Sequence, residues 1–189
     1  AAAGAGGVTL EDGFELTGNI NQTGGAGAAK FIFAGGGKVL GNIGVGATVG
    51  EISTVKTLEL GSKDNNAVTI TATNIKKDGA DAAILKFVGA GDVGVNSNIG
   101  GTTALDEVEF NGGKVAFDDA NNIAAAVLDF SSLRSTVTTG NIDIDAIPIT
   151  VTGTAGAHTL NITGDHDFTA AIGGADNPGT NGFFGTVHM

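Results

Sequence analysis

The sequence predicts an all-β protein, and it favours a parallel β-helix, or β-solenoid, over the alternative of a β-sandwich. Three observations lead to this prediction: a glycine-rich composition with many β-branched residues, short runs in which apolar and polar residues alternate, and an imperfect internal repeat. Repetition with variable spacing is typical of a solenoid, because insertions leave the stack at its corners without disturbing the strands.

Composition favours strands and tight corners. The 189 residues include 33 glycines, 2 prolines and no cysteine, tryptophan or tyrosine. Val, Ile and Thr suit a pleated surface, whereas Gly and Asn supply the positive φ angles of corners. The formal net charge is −11, which repels phosphate groups and anionic lipid, so we expect no nucleic-acid binding. No apolar run has the length of a spanning helix, so we expect no membrane insertion of this segment.

Period-two runs recur along the chain, and each has the pattern of a half-buried strand. Examples are Phe14-Glu15-Leu16, Leu58-Glu59-Leu60, Val108-Glu109-Phe110 and Leu160-Asn161-Ile162. Gly and Asn clusters between the runs predict tight turns. Residues 122–133 are the best helix candidate, but their apolar run is too continuous for an amphipathic helix. We interpret this segment as a strand and a corner.

An internal repeat emerges when residues 33–39 (Phe-Ala-Gly-Gly-Gly-Lys-Val) are aligned with residues 87–93 (Phe-Val-Gly-Ala-Gly-Asp-Val). Each copy then runs into an Asn-Ile-Gly triplet, at residues 42–44 and 98–100. We predict one elongated repeat domain over residues 1–189, with units near 30–84 and 85–140. Coils of about 20 residues would bury their apolar faces only by stacking, which would form aliphatic and Phe ladders inside and Asn ladders at the corners.

One segment resembles a known family. Residues 99–117 read Ile-Gly-Gly-Thr-Thr-Ala-Leu-Asp-Glu-Val-Glu-Phe-Asn-Gly-Gly-Lys-Val-Ala-Phe, and looser copies stand at residues 18–20, 42–44 and 160–164. These segments resemble the passenger repeats of rickettsial surface-antigen autotransporters, the outer-membrane protein A and B group. The resemblance is one of texture over most of the chain, without an invariant signature. It implies an exported, β-helical stalk or surface layer that takes part in adhesion to host cells.

We therefore expect a structural and adhesive protein of the bacterial cell surface, extracellular and not an enzyme. It would be an autotransporter passenger or surface-layer (S-layer) segment, and the chain would be a fragment of a longer protein. The expected partners are further copies in a lattice or filament, or a host-cell receptor. The alternative is a β-sandwich subunit that self-assembles into an extracellular filament or S-layer through its edge strands. A polysaccharide-active β-helix enzyme is disfavoured, because one arginine and Phe-only aromatics suit neither a uronate groove nor a sugar platform.

The sequence predicts no catalytic and no cofactor-binding residues. Calcium is the most plausible ion, since Asp-rich corners offer hard oxygen ligands, although exposed turn carboxylates are the simpler interpretation. The candidate ligands are Asp118, Asp119, Asp143, Asp145, Asp165 and Asp167. The nonapeptide calcium-binding repeat is not met, because residues 89–92 echo it only in part. The histidines lack zinc-site spacing and are expected in solvated turns: His158, His166 and His188.

Overall fold

The described residues form two parallel β-sheets that the chain visits in alternation. The computed structural model describes residues 7–11, 13–23, 29–101, 103–118, 122–131, 135–140, 144, 147–151, 157–163, 168–173 and 184–189. Within these ranges there is no helix, and every pair of named strands is parallel. The predicted parallel β-helix is confirmed, with about six turns. The β-sandwich alternative is wrong, since its hairpin and Greek-key strands would be antiparallel.

The two sheets take their strands from successive turns. Sheet 1 has nine strands, in the order β1 Gly7–Leu10, β3 Lys30–Phe33, β5 Val49–Thr54, β7 Val68–Lys77, β9 Val93–Ile99, β11 Lys114–Phe117, β13 Thr136–Thr138, β15 Thr159–Asn161 and β16 Thr186–His188. Sheet 2 has seven, in the order β14 Ile149–Val151, β12 Leu128–Phe130, β10 Glu107–Asn111, β8 Ile84–Val88, β6 Thr57–Gly61, β4 Gly37–Leu40 and β2 Phe14–Thr17. Up to β15, neighbours within a sheet are therefore one turn apart in the chain.

Stacking places like side chains over like in the interior. One aliphatic column of sheet 1 consists of Val68, Val93, Val115, Val137 and Leu160, and it ends on the exposed Val187. In sheet 2, Phe87, Phe110 and Phe130 stand in register, with ring centroids 5.8 Å and 5.1 Å apart. The predicted aliphatic and Phe ladders are therefore present. The apolar surface of each turn is removed from water only because the neighbouring turns cover that surface.

Two long strands join the halves of sheet 1. The C-terminal half of β7, residues 72–77, pairs with β5, while the N-terminal half of β9, Val93–Val95, pairs with β11. Between β7 and β9 the register shifts at Thr71 and Asn74. The early turns thus extend one part of the sheet and the late turns extend another, and only β7 and β9 belong to both.

The two aligned repeat copies are not equivalent in the fold. Residues 33–39 lead from β3 in sheet 1 to β4 in sheet 2, whereas residues 87–93 lead from β8 in sheet 2 to β9 in sheet 1. Their likeness reflects the same local task, in which two strands are joined by a glycine corner. The aligned segments thus indicate a repetitive fold, but they match a connection from sheet 1 to sheet 2 with a connection from sheet 2 to sheet 1.

Turn length varies along the stack. Val108 pairs with Leu128 on the next turn, whereas Leu58 pairs with Leu85. In the longer turn the corner after β6 spans residues 62–67, whereas the corner after β10 spans only residues 112–113, and strand β7 is itself longer than β11. Residues 122–131 of the former helix candidate contain isolated bridges and β12, so the strand-and-corner interpretation is confirmed over that part.

The Phe ladder provides a direct test of stacking. Phe110→Ala should lower the free energy of unfolding by about 3–5 kcal/mol, because the side chain is fully buried between Phe87 and Phe130. Phe14→Ala, on the half-buried end strand β2, is the matched control and should cost less. Urea denaturation measures both, and equal losses would contradict the ladder as the main source of stability.

Candidate functional site

Asparagines form one column at a corner of the stack. The Oδ1 atom of Asn19 accepts the backbone N–H of Asn42 at 2.9 Å, and Oδ1 of Asn42 accepts the N–H of Thr69 at 2.8 Å. The residues that follow them bridge one another in the interior: Ile20, Ile43 and Ile70. Each carboxamide thus connects its own turn to the next one.

A second asparagine column begins at the register shift between β7 and β9 and continues to Asn122. Asn74 is in register with Asn98, and Oδ1 of Asn98 accepts the N–H of Asn122 at 3.0 Å. The Nδ2 of Asn98 also donates to the carbonyl of Thr73 at 3.2 Å. The predicted Asn ladders are therefore present, but only the first lies at a corner, since Asn74 and Asn98 belong to strands β7 and β9. The two Asn-Ile-Gly triplets that suggested them belong to different columns, because Asn42 lies in the first and Asn98 in the second.

The glycine of each triplet has a physical reason. Gly44 and Gly100 have φ angles of 72° and 82°, which residues other than glycine rarely adopt. A Cβ atom would lie 2.0 Å from the carbonyl oxygen of Thr71 at Gly44, and 2.0 Å from that of Ala124 at Gly100. Asn therefore links the turns, Ile fills the interior, and Gly permits the next turn to approach.

Sheet 2 carries a column of alternating charge on its outer face. The side chains in register on successive strands are Glu15, Lys38, Glu59, Lys86 and Glu109. The Nζ of Lys38 lies 3.1 Å from Oε2 of Glu59, and the Nζ of Lys86 lies 2.6 Å from Oε1 of Glu109. Opposite charges in directly paired positions stabilise a sheet, and like charges destabilise it. We call this set the charge column; it favours the native order of turns.

Hydroxyl groups replace lysines at the C-terminal end of the charge column. Asp129 is in register with Glu109, which brings two carboxylates side by side. The hydroxyl of Thr150 donates to Oδ1 of Asp129 at 2.6 Å, and that of Ser131 donates to Glu109. Burial raises the pKa of nearby Glu107, and the fields of Asp129 and Glu109 raise it further. Glu109 keeps its ion pair with Lys86, and the two hydroxyl groups add hydrogen bonds where the column has no further lysine.

Sheet 1 has its own ion pairs along the stack. The carboxylate of Glu51 lies 2.6 Å from the Nζ of Lys30 and 2.9 Å from that of Lys76. Burial raises the pKa of Glu51, but hydrogen bonds from both ammonium groups outweigh burial, and the net pKa is below its usual value. Likewise, the hydrogen bond from Lys77 lowers the pKa of Asp106. These carboxylates are ionised linkers between turns, and their arrangement suits structure better than proton transfer.

Most calcium candidates lie outside the described residues. These are Asp119, Asp143, Asp145, Asp165 and Asp167. Asp118 is exposed directly after β11, and its N–H donates to the carbonyl of Val95 at 2.9 Å. Over the part of the chain that the structure describes, no group of three or more His, Asp or Glu side chains could hold a metal ion. A calcium site in the remaining segments stays a prediction.

The solvated-turn prediction is wrong for His158. Its side chain is 0% exposed and packs edge-on against Phe130, with ring centroids 5.7 Å apart. Residue 158 has the same alternation as Leu160 and Ile162, so period two places all three on the core face. That signal was present in the sequence. His188 is exposed but lies in β16 rather than in a turn, and His166 lies outside the described residues.

Comparisons with known proteins add no family. A scan against protein-family models, a search of curated proteins and a search of solved structures gave no match. Among the described residues, no helix is long and apolar enough to cross a membrane. The resemblance of residues 99–117 to autotransporter passengers therefore remains a prediction.

Reversing one charge tests the charge column. Lys86→Glu should lower the free energy of unfolding by about 1–3 kcal/mol, because Glu59 and Glu109 would then face a like charge in register. Lys86→Gln, which removes the pair without adding repulsion, should cost less, and high salt should narrow the difference. Equal denaturation curves for the two variants would show that the alternation does not matter.

The calcium hypothesis has a separate test. If a corner binds calcium only in the folded state, millimolar calcium should raise the melting temperature by about 2–4 °C, as expected for 1 kcal/mol in a chain of this size. Magnesium is the ionic control, and Asp118→Asn with Asp119→Asn should remove the rise if that corner is the site. An unchanged melting temperature in calcium would eliminate the hypothesis.

Proposed function

We propose that this chain is a structural and adhesive segment of a bacterial cell-surface protein, an autotransporter-type or surface-layer solenoid. It works as a stiff spacer whose corners face outward for attachment to a host cell or to neighbouring copies. The observation that carries the proposal is the direction of the polar contacts. The Asn columns, the charge column and the Lys30–Glu51–Lys76 pairs all connect one turn to the next along the stack.

Such contacts favour a spacer over a catalyst. In a solenoid each turn contacts mainly its neighbours, so length is added without altering the existing core. The side chains that would otherwise offer acid, base or cation chemistry on the described sheets, such as Glu51, Lys86 and Glu109, are used in pairing. This use supports a role that depends on shape and surface.

The corners supply the surface for attachment. At the corner 44–48 the side chain of Val45 is 54% exposed between Gly44 and Gly46, both of which have positive φ. Described lysines that form ion pairs are Lys30, Lys38, Lys76, Lys77 and Lys86. With those cations engaged and a net charge of −11, the surface suits a partner with basic or neutral contact groups.

Attachment and shape are tested on the same purified chain. Beads coated with it should bind cultured mammalian cells several-fold more than albumin-coated beads, and free chain should compete. Val45→Ser, which leaves the interior columns intact, should weaken binding if the corner 44–48 takes part. Small-angle scattering should show an elongated particle. A compact particle, or coated beads that bind no better than albumin-coated ones, would overturn the corresponding part of the proposal.

A further inference from the structure

We propose that the C-terminal turn of the solenoid is released in mild acid, because the imidazole of His158 must take up a proton inside the core. The terminal turn is defined here as the described residues 157–163, 168–173 and 184–189. Its release is a property separate from adhesion and does not depend on it.

The imidazole has no polar partner among the residues that the structure describes. His158 is fully buried, and neither Nδ1 nor Nε2 forms a hydrogen bond with any of them. Its ring lies against Phe130, which also contacts Phe110 at 5.1 Å and Phe184 at 4.7 Å between ring centroids. The side chain thus occupies the end of the aromatic ladder. An ionised group in such surroundings is costly unless it is paired.

The same residue holds the last strand by its backbone. The carbonyl of His158 accepts the N–H of Gly185 at 2.9 Å and that of Thr186 at 3.3 Å. Its neighbour Thr159 donates its N–H to the carbonyl of Ser135 at 2.9 Å, which joins β15 to the preceding turn. Moving His158 toward water would therefore disturb the contacts on both sides of β15.

Few charges surround the imidazole. On β12, Asp129 is the one charged group whose field acts on it among the described residues, and Asp129 already accepts the hydroxyl of Thr150. From β16 comes His188, which is exposed; β13 and β14 contribute only Thr, Val and Ile. Burial lowers the pKa of His158 below its ordinary value of 6.5, and Asp129 offsets part of that decrease.

The sign of the pH effect follows. Because the folded pKa is lowered, the released state binds the proton first, so attachment of the terminal turn is complete well above pH 6.5 and weakens as pH falls below it. One proton changes the equilibrium by at most about tenfold per pH unit. Elsewhere in the described core the buried polar groups are Asp129 and the hydroxyls of Ser and Thr, so the effect is local.

Hydrogen exchange of the full chain at about pH 7.5 and about pH 5 tests this, after correction for the intrinsic exchange rate. We expect protection in β15 and β16 to fall at the lower pH, by at most about thirtyfold for one proton, with little change in β7 and β9. His158→Phe, which extends the aromatic ladder without a titrating group, should keep its protection at both pH values. His188→Gln and His166→Gln are the matched controls and should behave like the unaltered chain.

Three results would overturn the inference. The first is unchanged protection of β15 and β16 in acid, and the second is an equal loss of protection in His158→Phe and in the unaltered chain. The third is that His188→Gln or His166→Gln abolishes the acid-induced loss of protection. If His158→Phe does not fold, NMR of the imidazole signals of the unaltered chain provides the test. The His158 signal should titrate together with the loss of protection. Titration of His158 while the terminal turn stays protected would refute the idea.

Discussion

Parallel pairing between successive turns is the constraint on which the rest of the structure depends. Once β5 pairs with β3 and β7, each side chain has a fixed neighbour above and below it. Apolar residues must then follow apolar residues, and a carboxamide or charged group finds its partner on the adjacent turn. The interior columns, the Asn columns and the charge column are three results of this one geometric requirement.

The polar columns explain how a chain with little charge specifies one arrangement. Aliphatic columns are tolerant, because Val, Ile and Leu can replace one another with small losses. Hydrogen bonds such as that from Asn42 to Asn19, and ion pairs such as Lys86 to Glu109, are selective, because they form only when the adjacent turn presents the complementary group in register. Burial therefore supplies the stability, and the few polar contacts decide which turn lies on which.

Much of the fold could be predicted from the sequence, and the limits have physical causes. Period-two runs and Gly/Asn corners reveal strands and turns, because those preferences are local. The side of the solenoid on which a strand lies does not depend on local sequence. The Asn-Ile-Gly triplets therefore do not reveal that Asn42 and Asn98 stand in different columns. The charge column could not be predicted because its members are a full turn apart in the chain, although all of them except Lys38 lie between two apolar residues that face the core. His158 was misplaced by residue type, although its alternation with Leu160 marked it as buried.

Unequal turns have a consequence for descent. The pairs Val108–Leu128 and Leu58–Leu85 show that the spacing between column positions is elastic while the columns themselves persist. Insertions and deletions at corners can accumulate over generations without selection against misfolding. Related solenoids would therefore share the order of their inward-facing residues rather than the spacing between them. A sequence comparison that does not penalise gaps at corners suits such proteins best.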